Sequence, residues 1–135
     1  MSCTFFGNRD APNTIRNKLH DVIEELIEEG VVLFYVGNEG NFDRMVLEEL
    51  RSARQRHCNI EYYVVLANRK HNLPPEITLY PEGIEYALPK FTIDYRNRWM
   101  LKNCDTVVTY IRHPGGASKY RDAAIRQRKR IIELT

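Results

Sequence analysis

Val107-Val108-Thr109-Tyr110-Ile111-Arg112-His113-Pro114-Gly115-Gly116-Ala117-Ser118-Lys119 decides how this chain folds. An apolar, β-branched run over Thr106–Ile111 reads as a buried strand and stops at a Pro-Gly-Gly turn. The turn opens into Ala117–Arg128, which reads as a helix. A strand that feeds a glycine-rich turn and then a helix start is suited to anions. Bare glycine backbone admits close approach, and the unpaired N–H groups of the first helical turn point at whatever sits there.

Outward from that stretch the same alternation repeats. Cys3–Phe6 is a short apolar run broken by Gly7-Asn8-Arg9-Asp10-Ala11-Pro12. Ile15, Leu19, Val22, Ile23, Leu26 and Ile27 recur at helical spacing, with Asn13 or Thr14 as the expected N-cap and Gly30 as the stop. Val31–Val36 reads as a strand covered on both faces. Gly37–Phe42 reads as a loop, and Asp43 as the cap of a helix whose inner face is Val46, Leu47, Leu50 and Ala53. Ile60–Ala67 is a third strand, and Arg130–Leu134 closes the chain as the last. Between them, Asn68–Ala87 is irregular and proline-rich, long enough to suggest a lid or an interface element. Pro89 starts a helix carrying Phe91, Tyr95 and Trp99 on one stripe. Alternating strands and helices predict an α/β domain over residues 1–135, a three-layer sandwich with a mostly parallel sheet of about five strands. In such sheets ligands bind at the carboxyl ends of the strands, near the point where strand order reverses.

Composition narrows the class. The chain has 135 residues, with 20 Lys and Arg against 18 Asp and Glu, a formal charge of +2. That balance argues against nucleic acid or an anionic membrane as the main partner. Arg126-Gln127-Arg128-Lys129-Arg130 reads as the solvated end of a helix, where cations suit the macrodipole. Three cysteines, Cys3, Cys58 and Cys104, form no Cys-x-x-Cys pair, which speaks against a disulfide framework or a zinc knuckle. No signal peptide and no membrane-length apolar run is read in the sequence, so a cytoplasmic protein is expected. His20, His57 and His71 have no metal-ligand spacing, and neither metal nor cofactor is expected.

Three strand-to-helix loops carry unusual chemistry, and the predicted fold sends all three to one edge of the sheet. In the first, Gly7 and Arg9 offer a turn and a guanidinium for phosphate or carboxylate; the plain alternative is an exposed turn with a weak Arg–Asp pair. In the second, Gly37, Asn38, Gly40, Asn41 and Asp43 form a sharp polar turn. It has neither the Gly-Lys-[Ser/Thr] end of a P-loop nor the Gly-x-Gly-x-x-Gly of a dinucleotide site. The third contributes Gly115, Gly116, Ala117 and Ser118. Ser118 has no nucleophile elbow and no assignable base, and His113, without a recognisable partner, reads as a loop histidine. On the helix after Pro89, Asp94 and Arg98 are an ordinary i,i+4 pair. Arg96 points the other way, beside Met100, either as an anion ligand or as a solvated arginine.

Taken together, Gly7-Asn8-Arg9, Gly37-Asn38-Glu39-Gly40-Asn41-Phe42-Asp43, Arg96-Asn97-Arg98-Trp99-Met100 and Gly115-Gly116-Ala117 resemble the motifs of a small bacterial branch of the SLOG superfamily. That superfamily comprises Rossmann-like proteins and includes the DNA-processing Smf proteins and the Lonely guy phosphoribohydrolases. The resemblance runs from Phe6 to the final strand. It implies a Rossmann-like domain that binds a nucleotide or nucleotide-derived molecule, often as a homodimer, and often as a sensor. Tyr62-Tyr63 and Ile84–Phe91 are the stretches available to a second subunit, and core packing within one chain explains them as well. The departures bear on catalysis. Asn8 stands where that branch has histidine, and Arg96-Asn97 where the hydrolases have Arg-Lys. Ala117-Ser118 replaces their second glycine pair, and Arg121 falls where they carry a glutamate. Asp122 lies a helical step of about 100° away.

Three readings follow. The first is a domain that binds or senses a nucleotide-like small molecule, which needs only donors, a helix start and arginine charge. The second is an N-glycosidase or phosphoribohydrolase acting on a nucleoside monophosphate, with Asp43, Asp122 or Glu39 as the carboxylate that stabilises an oxocarbenium-like transition state. The third is a domain whose turn chemistry is purely architectural.

Overall fold

The computed structural model describes all residues from Met1 to Thr135. Six strands form one all-parallel sheet in the order β4-β3-β2-β1-β5-β6. They are β1 (Ser2–Gly7), β2 (Leu33–Val36), β3 (Glu61–Val65), β4 (Thr78–Leu79), β5 (Thr106–Tyr110) and β6 (Arg130–Glu133). The helices are α1 (Arg16–Glu28), α2 (Gly40–Arg56), α3 (Thr92–Lys102) and α4 (Gly116–Arg126). The three-layer α/β sandwich is thus as expected, with one strand more than the sequence pattern shows. That strand, β4, lies inside the stretch read as irregular and pairs with Val64 and Val65. Two residues cannot display an alternation, so no period-2 signal exists to be read.

Layering follows from the side chains. Phe5, Phe34, Val36 and Val64 point to the α1–α2 face and join Leu19, Ile23, Leu26, Phe42, Met45, Val46 and Leu50 in the larger core. Phe6, Val65 and Val107 point the other way, against Met100, Leu101, Tyr120, Ala123 and Ala124 of α3 and α4. β5 is buried along its full length. β2 alternates instead: Phe34 and Val36 are buried, while Leu33 and Tyr35 are only half-covered, so its second face is less enclosed than the continuous apolar run suggests.

Several boundaries differ for physical reasons. A 3-10 turn over Asn13–Ile15 leads into α1, and neither Asn13 nor Thr14 caps it; Asn13 Oδ1 instead accepts a bond from Asn41. The stop at Gly30 stands, its φ of 104° being a left-handed value that suits glycine. Asp43 is not the N-cap of α2. The cap position is Glu39, and Asp43 lies inside the first turn, reaching back to accept the Glu39 N–H at 2.9 Å. A first-turn carboxylate that accepts the cap's own N–H satisfies a donor that the helix leaves unpaired. Pro89 begins a further 3-10 turn, Pro89–Phe91, ahead of α3.

β1 is the strand at which the order reverses. From it the chain lays β2, β3 and β4 on one side, then crosses to place β5 and β6 on the other. The carboxyl ends of β1 and β5, at Gly7 and Tyr110, pair directly. No helix is long and apolar enough to cross a membrane.

Candidate functional site

A cavity of about 330 Å³ opens at this reversal point, bounded by the loops after β1, β2 and β5 and by α3 and α4. The three loops read from the sequence do converge. Of the twelve candidate residues, Gly7, Arg9, Asp43, Arg96, Gly115, Gly116 and Ala117 line it; Gly37, Asn38, Gly40, Asn41 and Ser118 do not.

The non-lining residues build the walls. An added Cβ at Gly40, whose φ is 84°, would sit 2.6 Å from Arg9 Cα. That glycine lets the β1 loop cross the start of α2. Asn41 fastens the crossing, its backbone N–H donating to Arg9 O at 2.8 Å and its amide to Ala11 O at 2.6 Å. Gly37 makes room for two functional groups, since a Cβ there would lie 2.9 Å from Asp43 Oδ2 and 3.0 Å from Arg96 Nη1. Gly7 has a cavity-lining backbone, but its missing side chain serves packing: a Cβ would fall 2.3 Å from Phe42 Cγ. Ser118 is absorbed by the helix start, accepting the Gly115 N–H at 3.0 Å and donating back to Gly115 O at 2.7 Å.

Gly115 and Gly116 are different. A Cβ at either would meet no atom within 4 Å. The φ of Gly115 is 169°, extended backbone open to any residue. Neither packing nor conformation requires glycine here, so what their bareness leaves is open space against the cavity. In the first helical turn the N–H groups of Gly116 and Ala117 have no intrahelical acceptor, and α4 directs its positive end toward that space.

Arg96 is the decisive side chain. It is 1% exposed, the largest fully buried side chain in the protein, and so is not the solvated arginine of the alternative reading. Nη1 donates to Val65 O at 3.1 Å and to Asn38 Oδ1 at 3.2 Å, while Nε donates to Asn97 Oδ1 at 2.7 Å. These bonds hold the guanidinium across the carboxyl ends of β2 and β3. The remaining group, Nη2, has no protein partner, and no carboxylate forms a salt bridge with Arg96. Burial draws its pKa down, opposed by the fields of Asp43 and Glu39. A buried cation without a contacting anion is costly unless something else supplies the charge.

Three carboxylates line the cavity: Asp10, Glu39 and Asp43. Burial pushes Asp43 up to about 6, although the Glu39 N–H and the Arg96 guanidinium pull the other way. Glu39 leans toward Arg9 at 3.8 Å. Asp10 pairs with His113, Nε2 to Oδ1 at 2.9 Å, a partner no sequence signal indicated because 103 positions separate the two residues. Their hydrogen bond lowers the pKa of Asp10 and raises that of His113. Asp122, one of the three carboxylates considered from sequence, lies outside the cavity and pairs with Arg121. Arg121 also lies outside it.

Two further residues escape sequence reasoning. Asn8 is buried and acts as a staple. Its Oδ1 accepts the Arg112 N–H at 2.7 Å and the His113 N–H at 3.4 Å, and its amide donates to His113 O at 3.3 Å. It fixes the β5–α4 loop against β1, a role that an asparagine beside a glycine hints at only as turn chemistry. Tyr120 forms an apolar wall, stacked on Phe6 at 5.2 Å, and donates to Asp94 Oδ1 at 2.6 Å. Asp94 keeps the expected i,i+4 bond to Arg98 at 2.9 Å and adds Lys119 at 3.0 Å, tying α3 to α4.

No protein-family model matches this chain, and no curated protein does either. The site therefore rests on its own chemistry. It offers a buried guanidinium with a free amino group, two free backbone N–H groups at a helix start, an apolar wall and three carboxylates. Those donors can hold an anionic group, and the carboxylates can accept from hydroxyls.

Proposed function

We propose that this protein binds or senses a nucleotide or nucleotide-derived small molecule at the carboxyl edge of its sheet, as a SLOG-like, Rossmann-like domain. The observation that carries the reading is Arg96. Its guanidinium is buried at the reversal point, held by three protein acceptors, and left with one donor group and no carboxylate in contact. A phosphate seated between Nη2 and the N–H groups of Gly116 and Ala117 supplies the missing counter-charge. Phe6, Ile93, Met100 and Tyr120 offer an apolar surface for a base, and Glu39 and Asp43 offer acceptors for ribose hydroxyls. Self-association belongs to the same reading, with Tyr86 and Leu88, 87% and 59% exposed, as the surface for a second copy.

The alternative, N-glycosidic hydrolysis of a nucleoside monophosphate, draws on one observation: Asp43 is a cavity carboxylate pushed up to about 6, in the range of a general acid or base.

One experiment separates the readings. The full chain is incubated with nucleoside monophosphates and signalling nucleotides, and melting shift and base release are recorded together. At a ligand concentration of about 100 Kd, binding adds about 2.7 kcal/mol, a rise of roughly 9 °C for a domain of this size. A shift without base release supports binding. Base release abolished by Asp43→Asn supports the hydrolase. Neither shift nor release across the panel refutes both.

A further inference from the structure

A second cavity, of about 520 Å³, lies on the outer side of α3, between that helix and the segment that precedes it. The segment is anchored rather than loose. Ile84 is buried, and the Tyr95 hydroxyl donates to Glu82 O at 2.5 Å. Tyr95 also fills the space beside Gly83, whose φ is 86°, so that a Cβ there would lie 2.5 Å from the hydroxyl. The groove is therefore preformed.

Its lining has a definite chemistry. Phe91, Tyr95 and Trp99 supply aromatic surface. Trp99 is set by an edge contact with Tyr35 at 5.2 Å and 78°, which fixes its ring. Arg98 and Lys102, one helical turn apart, supply cations to the same groove. Lys102 has no hydrogen-bond or ion-pair partner in the chain. Arg98 uses only Nε, on Asp94, and shares that carboxylate with Lys119 and Tyr120, so its two amino groups remain available. Glu82 and Asp94 are the carboxylates of the lining; Asp94 is taken up by Arg98, Lys119 and Tyr120. Aromatic walls with available guanidinium and ammonium groups favour a flat ring that carries one negative charge: the ring stacks and the anion takes the cations.

We propose that this groove is a binding site for small aromatic carboxylates, separate from the nucleotide-type cavity. Asp94 stands between the two: Oδ1 accepts from Tyr120, which lines the first cavity, and Oδ2 from Arg98, which lines the second. The proposal does not depend on the identity of the first cavity's ligand.

The protein has a single tryptophan, so its fluorescence reports this groove directly. The full chain is titrated with para-nitrobenzoate, a quencher of indole emission, with para-nitrobenzamide as the neutral isostere and cyclohexanecarboxylate as the non-aromatic acid. Ligand-observed NMR follows the same titrations as a second readout. The expected result is saturable quenching by para-nitrobenzoate, about tenfold weaker binding of the amide and of Lys102→Gln or Arg98→Gln, and no saturable NMR transfer to cyclohexanecarboxylate. Both substituted side chains are exposed, and unchanged melting of either variant shows the groove intact. Phe91→Ala, at a position 51% exposed, is expected to weaken the probe without touching a charge. Quenching that stays linear in concentration, equal quenching by acid and amide, or affinity unchanged in the Lys102 and Arg98 variants overturns the proposal. So does competition of the probe with self-association of the chain.

Discussion

Two glycine-to-alanine substitutions, made side by side, test whether the cavity's glycines have different jobs. At Gly7 the new methyl would lie 2.3, 2.4 and 2.7 Å from three atoms of the Phe42 ring. Phe42 cannot simply swing away: it is fully buried in the larger core and stacked on Tyr110, with ring centroids 6.5 Å apart. Forcing a methyl into such packing costs about 1–3 kcal/mol. A domain of this size loses about 3–4 °C of melting temperature per kcal/mol, so Gly7→Ala should melt about 7 °C lower, taking 2 kcal/mol as the central value. Phe42→Leu in the Gly7→Ala background should recover part of that loss, giving a coupling of about 1 kcal/mol in a double-mutant cycle. At Gly116 the methyl meets nothing within 4 Å, and alanine is the better helix former. Gly116→Ala should therefore leave the melting temperature unchanged or raise it by about 1–3 °C. On the proposed function, affinity for the anionic ligand, read by melting shift or calorimetry, should fall about tenfold in Gly116→Ala, because the methyl occupies the approach to the α4 start. If Gly7→Ala melts with the wild type, the tight contact with Phe42 is refuted. If Gly116→Ala binds the ligand as the wild type does, the anion does not sit where the reasoning puts it.

Three further outcomes follow from the site. Arg96→Met should weaken an anionic ligand by about 10- to 100-fold, the worth of one or two charge-assisted bonds; Arg96→Lys should restore only part, since it keeps the charge and loses the planar fork. Asp43 binds its proton more tightly folded than unfolded, so stability falls as pH rises from its ordinary value, near 4, through about 6. Asp43→Asn should remove that slope and gain about 2 kcal/mol at neutral pH, measured by denaturant melts across the range, with the shared solvent access of the cavity reducing the figure. Asp94 behaves in the opposite sense. Partial burial disfavours its charge, yet bonds from Tyr120, Arg98 and Lys119 outweigh it and hold the carboxyl at about 2. Its stabilisation is present above its ordinary pKa and is lost as pH falls toward 2, so Asp94→Asn should cost about 1–2 kcal/mol at pH 7 and close to nothing at pH 2.

Much of the architecture was legible because it is periodic. The apolar run of β5, the helical spacing of Leu19, Ile23 and Leu26, and the alternation of strand with helix each repeat over several residues, and together they specify a covered parallel sheet. Convergence of the three loops followed from that topology alone, since parallel strands send all their carboxyl ends to one edge. β4 escaped because two residues contain no period, and Asp43 was misplaced by one turn because an aspartate before an apolar run satisfies a cap signal whether it stands at the cap or just inside.

Roles within the site were a different matter, since they depend on distances between residues far apart in sequence. From composition, Gly7, Gly37 and Gly40 look like Gly115 and Gly116. Only the fold brings Phe42 against the first, Asp43 and Arg96 against the second and Arg9 against the third, while leaving the last two open. Likewise Arg96 read equally well as a solvated side chain or a ligand, because helical spacing fixes direction around an axis and not depth. Burial beneath the carboxyl ends of β2 and β3, with bonds to Val65 and Asn38 and one donor left over, is a property of packing. Local pattern determined which elements form and which edge carries the loops; long-range contact decided which of their residues face the cavity and which hold it open.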